Sequence, residues 1–182
     1  MNRRRFLQTS GLAAGTILAG PAAFAGSLSK ESMSRIGMTT VVFRERMLTS
    51  ESNYVDNELT LQGVPGYFAD RFNIRNVEYW SRHFVSREIP YLKEVKKALS
   101  DSRSSLINIQ VDTRYDVSDT ETEKREAAIA EMKEWIDAAS FLGSKMIRVS
   151  GMRKSYEEAV KSVILLNEYA KEKGVVLLVE NH

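Results

Sequence analysis

The sequence predicts an α/β protein, a partial (β/α)8 TIM barrel of about five βα units, and three observations predict it. Segments rich in β-branched residues alternate with helical segments, and the strands recur about every 30–40 residues, the spacing of parallel strands joined by right-handed crossovers. Within each strand one alternating set of side chains is apolar, while the other turns polar towards the strand's carboxyl end. The final stretch, Val175 to Val179, runs straight into Glu180-Asn181-His182. Reactive groups sit at that end of the strands in parallel α/β folds. A sheet covered by helices on both sides would want both sets apolar, so a closed barrel with a polar interior fits better. A whole barrel needs about eight units and ~250 residues, so roughly three units are expected to be missing from these 182 residues.

The first 25 residues read as a secretion leader. Arg3-Arg4-Arg5-Phe6-Leu7 is a twin-arginine pattern, a weakly apolar run follows to Gly20, and Ala23-Phe24-Ala25 offers the small residues a signal peptidase reads. That run is about ten residues against the ~20 of a spanning helix, so no stable membrane span is expected. The expected location is periplasmic or secreted, with the Tat export machinery as partner. Removing the three arginines takes the formal charge from +2 to −1, which argues against nucleic acid as a partner. Cysteine is absent. Disulfides and thiolate metal sites are thereby excluded, and any metal must use carboxylate, imidazole or water.

Residues 26–35 read as a polar linker, and 36–182 as the barrel domain. Ile36 to Phe43 is the first strand by β-branched content, followed by a long polar loop to Gly63. Val64-Pro65-Gly66 opens a short helix that Asn73 ends, and Asn76 to Trp80 is the second strand. Pro90 to Leu99 is helical, with Leu92, Val95 and Leu99 on one stripe. Leu106 to Asp112 alternates strictly and forms the third strand, with Ile107, Ile109 and Val111 on its apolar side. Thr120-x-x-Glu123 reads as a capping box for a long helix that Gly143 ends. Met146 to Ser150 is the fourth strand. Ser155-x-x-Glu158 caps another helix, which closes at Lys171, Lys173 and Gly174. Val175 to Val179 is the fifth strand, expected to be buried on both faces. The first and fifth strands are expected to leave open edges that promote self-association.

Strand parity sets Glu78 and Trp80, then Asn108, Gln110 and Asp112, then Arg148 and Ser150, opposite the apolar sets. Glu180 and His182 share a face of the fifth strand. Arg148 and Glu78 either pair as ions inside the barrel or face a ligand. Asn108, Gln110 and Ser150 serve as hydrogen-bond fillers or as ligand contacts. His83 reads as a surface-loop histidine. Glu180 stands apart, because a carboxylate after four apolar residues in a central strand must be paired or bound to a metal.

In order and spacing, Asn76-Val77-Glu78-Tyr79-Trp80, Ile109-Gln110-Val111-Asp112 and Leu178-Val179-Glu180-Asn181-His182 resemble the sugar phosphate isomerase/epimerase family, whose xylose-isomerase-like barrel is shared with endonuclease-IV-type enzymes. The likeness runs from about Ile36 to His182, the N-terminal portion of such a barrel. It implies that Glu180 ligates a divalent metal (Mn²⁺, Mg²⁺, Co²⁺ or Zn²⁺), with the remaining ligands expected beyond the chain end, and that the chain alone is inactive. It further implies that Glu180 is the catalytic acid–base in chemistry on a sugar or sugar derivative that passes through an enediolate. Glu78, Trp80, Gln110, Arg148 and His182 would bind that substrate. Alternatives are a non-catalytic sugar-binding barrel, a lyase or hydrolase on oxidised sugars, and an endonuclease-IV-like phosphodiesterase. The last needs extra histidines on early strands, and His83 and His182 are the only two in the chain.

Overall fold

Among the described residues, five parallel strands lie side by side in the order of the chain, each neighbour reached by a crossover. The computed structural model describes residues 29–49, 59–150 and 152–180. The proposed leader lies outside the described residues, as do Asn181 and His182. Contacts divide the chain into 1–33 and 34–182, and the sheet belongs to the second unit. A five-residue helix, α1 (Lys30–Ser34), falls within the stretch read as a linker.

The elements are β1 (Gly37–Thr39), α2 (Val64–Phe72), β2 (Asn76–Trp80), α3 (Ile89–Asp101), β3 (Ser105–Val111), α4 (Thr122–Leu142), β4 (Met146–Val149), α5 (Tyr156–Glu172) and β5 (Val176–Val179). Pro65 and Pro90 occupy the first turns of α2 and α3, where a missing N–H costs nothing. Asn73 and Gly143 end α2 and α4 in the left-handed conformation, with φ of 55° and 82°. The Ser155 side chain accepts from the Glu158 N–H and caps α5 as expected. The core lies between sheet and helices: Val77, Tyr79, Ile109, Val111, Ile147 and Val149 are fully buried against residues such as Val95, Met132, Ile136 and Leu166. Among the described residues, no helix is long and apolar enough to cross a membrane.

Five local expectations fail, each for a physical reason. The first strand stops at Thr39, and Thr40–Arg46 winds as 3₁₀ turns kinked at Phe43. Thr39 Oγ1 caps the turn by accepting from the Val41 N–H, and Thr40 Oγ1 accepts the Trp80 N–H at 3.0 Å. Side chains thus take over the bonding that a longer strand would supply, against the β preference of Val41 and Val42.

The third strand does not alternate strictly. Val77 pairs with Leu106 and Glu78 with Asn108, so a bulge falls at Ile107. Leu106 therefore joins Ile109 and Val111 in the core, and Ile107 turns towards Gly37, where an added Cβ would come within 2.7 Å of its Cδ1. The α4 capping box is not made. Asp119 Oδ1 takes the Glu121 N–H at 3.0 Å, and the helix starts at Thr122 without a side-chain cap. The fifth strand is not buried on both faces, because β5 lies at the sheet's end with Val176 and Val179 58% and 52% exposed.

His83 is the fifth. It is buried, not on the surface. The 3₁₀ turn Ser81–His83 folds its ring edge-on beneath Trp80, at 5.1 Å between centroids. Nδ1 lies 2.8 Å from Thr40 Oγ1, which meets the polar demand of burial.

Candidate active site at the carboxyl ends of the strands

Strand parity, shifted by the bulge at Ile107, delivers a connected row of polar groups across the sheet. On β2, the Glu78 carboxylate accepts from Asn108 Nδ2 at 2.6 Å and from Gln110 Nε2. Gln110 Oε1 accepts from Arg148 Nη2 at 3.0 Å, and Arg148 Nη1 donates to Glu180 Oε2. The row reads Glu78 on β2, Gln110 on β3, Arg148 on β4 and Glu180 one residue past β5. It follows the register, which sets Trp80 beside Gln110, Gln110 beside Arg148 and Arg148 beside Leu178. Asn108 Oδ1 is buried without a hydrogen-bond partner among the described residues.

A second hub stands just past β3. Asp112 Oδ2 accepts from Trp80 Nε1 at 2.7 Å, and its backbone N–H donates to Ser81 Oγ at 3.0 Å. Ser150 Oγ lies 2.8 Å from Asp112 Oδ1 and 2.9 Å from the Val111 carbonyl oxygen, and donates to either. Arg148 Nη1 is 3.8 Å from Asp112 Oδ1. Arg82 lies 3.7 Å from Asp112 Oδ2, with its guanidinium over the Trp80 ring at 5.3 Å. One face of the indole is thus covered by a cation.

These groups open on a cavity of about 480 Å³ lined by Trp80, Gln110, Asp112, Arg148, Ser150 and Glu180, among others. Four sequence-predicted site residues (Trp80, Gln110, Arg148 and Glu180) share its wall. Glu78 lies behind Gln110 and orients its amide. His182 lies outside the described residues. Arg148 does not pair with Glu78, because Gln110 stands between them.

The sequence reading assigned no site role to Asp112, Arg82, Thr40 or His83. Parity had already put Asp112 with the polar set, and its place at a strand end was the signal. Nothing in the sequence ties His83 to Thr40, 43 positions away. Burial pushes the His83 imidazole down to about 4, so it is neutral at pH 7.

The donor chemistry suits a hard divalent cation in part. Glu180 and Asp112 offer carboxylate oxygens on either side of Arg148 Nη1. Among the described residues, no group of three or more His, Cys, Asp or Glu side chains forms a metal cluster.

A parallel sheet grown in chain order, with polar groups converging at the strands' carboxyl ends, defines a partial (β/α) barrel with a polar cavity at that end. The model of the xylose isomerase-like TIM barrel family matches residues 68–182, more than half of the chain, and the chain belongs to that family. No curated protein matches the sequence. A xylose isomerase domain protein from Planctomyces limnophilus is 18% identical with a TM-score of 0.54, over 80% of this chain and 52% of that one. The E. coli 3-keto-D-glucoside 4-epimerase is 14% identical with a TM-score of 0.54, over 73% and 54%. The Clostridium cellulolyticum D-psicose 3-epimerase, solved with D-tagatose, is 15% identical with a TM-score of 0.57, over 78% and 50%. The chain thus spans about half the length of the solved structures it matches, and at these identities the likeness establishes fold alone.

Proposed function

We propose that the protein is a carbohydrate isomerase or epimerase, exported by its twin-arginine leader, that depends on a divalent metal and works through an enediolate. The observation that carries the reading is the Glu180 carboxylate at the end of β5, facing a polar cavity beside Gln110, Arg148 and Trp80. Glu180 takes the proton from a C–H next to the substrate carbonyl, and the electron pair moves into the enediolate. Delivery of a proton by a second acid on the opposite face gives the epimer, and return of the Glu180 proton to the neighbouring carbon gives the isomer. Gln110 and Asp112 hold substrate hydroxyls, Trp80 offers an apolar edge to the sugar, and Arg148 supplies positive charge beside Glu180. A bound Mn²⁺, Mg²⁺, Co²⁺ or Zn²⁺, with Glu180 among its ligands, supplies charge stabilisation for the enediolate.

The test is deuterium uptake from D₂O beside the carbonyl of ketoses and aldoses, followed by NMR on the protein as its gene encodes it. Expected is exchange that Glu180→Gln reduces at least ~100-fold with the fold retained. Absence of exchange with every sugar offered, or exchange untouched by Glu180→Gln, sinks the reading. For export, replacing Arg4 and Arg5 with lysine is expected to leave the protein in the cytoplasm on cell fractionation. A second reading, a sugar-binding barrel without turnover, draws support from the Arg148–Glu180 ion pair, which satisfies Glu180 with no cation. Sugar binding by calorimetry without any exchange would favour it.

A further inference from the structure

Arg148 stands between Asp112 and Glu180, two carboxylates that line the cavity. Nη1 donates to Glu180 Oε2 and lies 3.8 Å from Asp112 Oδ1, while Nη2 donates to Gln110 Oε1 at 3.0 Å. The side chain is 13% exposed and rises from the middle of β4, so its guanidinium has little room to swing into bulk water. A divalent cation at Glu180 needs the same carboxylate that now accepts from Arg148. It would also bring two further positive charges within a few ångströms of the guanidinium, where repulsion is strong.

We propose that Arg148 is a resident counter-ion that competes with the divalent cation for Glu180. The cation enters as the guanidinium releases that carboxylate and keeps its hold on Gln110 and Asp112. This rests on the reading of Glu180 as a cation ligand. With the cation away, the arginine keeps Glu180 aimed at the cavity and compensates its charge. With the cation present, Asp112 and Gln110 remain as anchors, so the guanidinium moves without leaving the site. Arg148 is thus a positioning residue that sets how tightly the cation is held.

The experiment is titration of Mn²⁺ into the protein as encoded, with free Mn²⁺ read by EPR, for wild type, Arg148→Gln, Arg148→Lys and Glu180→Gln. Thermal melts confirm that each variant is folded. Expected is binding at least about tenfold tighter in Arg148→Gln, near wild type in Arg148→Lys, and weaker in Glu180→Gln. Arg148→Gln binding no more tightly than wild type, while Glu180→Gln weakens, overturns the competition and leaves Glu180 as a ligand. No Mn²⁺ bound by any form, or Glu180→Gln equal to wild type, overturns both. A second measurement needs no Arg148 variant: the Arg148 Nε–Hε NMR resonance is expected to shift when Mg²⁺ is added to wild type but not to Glu180→Gln. An unmoved resonance in wild type at saturating Mg²⁺ overturns the proposal.

Discussion

Two ion-paired clusters sit at the same end of the sheet, and they are built on opposite principles. In the rim between the β3–α4 and β4–α5 connections, carboxylates and hydroxyls bond mainly to backbone. Asp116 Oδ2 accepts from the Arg153 N–H, Ser118 Oγ from the Lys154 N–H, and the Ser118 carbonyl from the Ser155 N–H. Asp119, only 2% exposed, accepts from the Glu121 N–H and from Lys154 Nζ at 2.6 Å. In the interior row, side chain meets side chain from Glu78 through Gln110 and Arg148 to Glu180, whose own side chain is 38% exposed towards the cavity. Backbone partners fix a loop in one shape. Side-chain partners can be exchanged for a ligand, and that difference separates a staple from a site.

Exchanging one carboxylate in each cluster tests the contrast most strongly. Glu180→Gln is expected to abolish sugar deuterium exchange, at least ~100-fold, while leaving the melting temperature close to wild type. Asp119→Asn is expected to do the reverse: a clear drop in melting temperature with exchange per folded molecule retained. If Glu180→Gln melts lower than Asp119→Asn, the roles assigned to the two clusters are the wrong way round.

Acidity separates them next. His83, beneath the interior row, is lowered from 6.5 to about 4 by burial. The unfolded chain therefore takes up a proton below pH 6.5 that the folded protein refuses until about pH 4. Stability falls with acidification across that window, by roughly 2 kcal/mol. Denaturant midpoints between pH 7 and 4 should show this slope in wild type and lose it in His83→Gln. The Asp119 carboxyl is held below its ordinary value of 3.8, first by the Lys154 hydrogen bond and then by the Glu121 N–H. Its stabilisation is complete above that value and lost as pH falls through the lowered one. The gap between wild type and Asp119→Asn should thus stay constant above about pH 5 and close below pH 4. A gap that does not narrow on acidification would mean that charge is not what Asp119 contributes.

The interior row was largely readable from the sequence, and the rim was not. Alternation put Gln110 and Arg148 in the polar sets of their strands, and Glu180 stood out as a carboxylate at the end of an apolar strand. The bulge at Ile107 escaped, since one extra residue changes register without changing composition. The rim depends on loop-to-loop bonds, such as Ser118 to Lys154 and Ser155, which no periodicity encodes. Thr120-x-x-Glu123 matched a capping pattern, yet Asp119 took the neighbouring N–H first. His83 looked like a loop residue because only the 3₁₀ turn after β2 carries it under Trp80. The apolar run of β5 implied two covered faces, but a run of valines and leucines reports what a strand can bury, not how much of it is covered at the sheet's end.

The smallest effects come from two serines whose hydroxyls lie within hydrogen-bond reach of backbone carbonyls. Ser162 Oγ on α5 donates to the Val117 carbonyl at 2.6 Å, within the rim and 1% exposed. Ser150 Oγ lies 2.9 Å from the Val111 carbonyl oxygen, and it also touches Asp112 at the cavity wall. Each alanine substitution leaves one acceptor short of a donor and should cost about 1 kcal/mol by denaturant titration. Ser162→Ala is expected to stop there, because nothing it touches reaches the cavity. Ser150→Ala also frees Asp112 Oδ1 to draw Arg148, 3.8 Å away, off Glu180, so it should raise Mn²⁺ affinity by a few-fold. Equal Mn²⁺ affinity in the two alanine variants would show that Asp112 takes no part in restraining Arg148. It would also confine the exchangeable network to Gln110, Arg148 and Glu180.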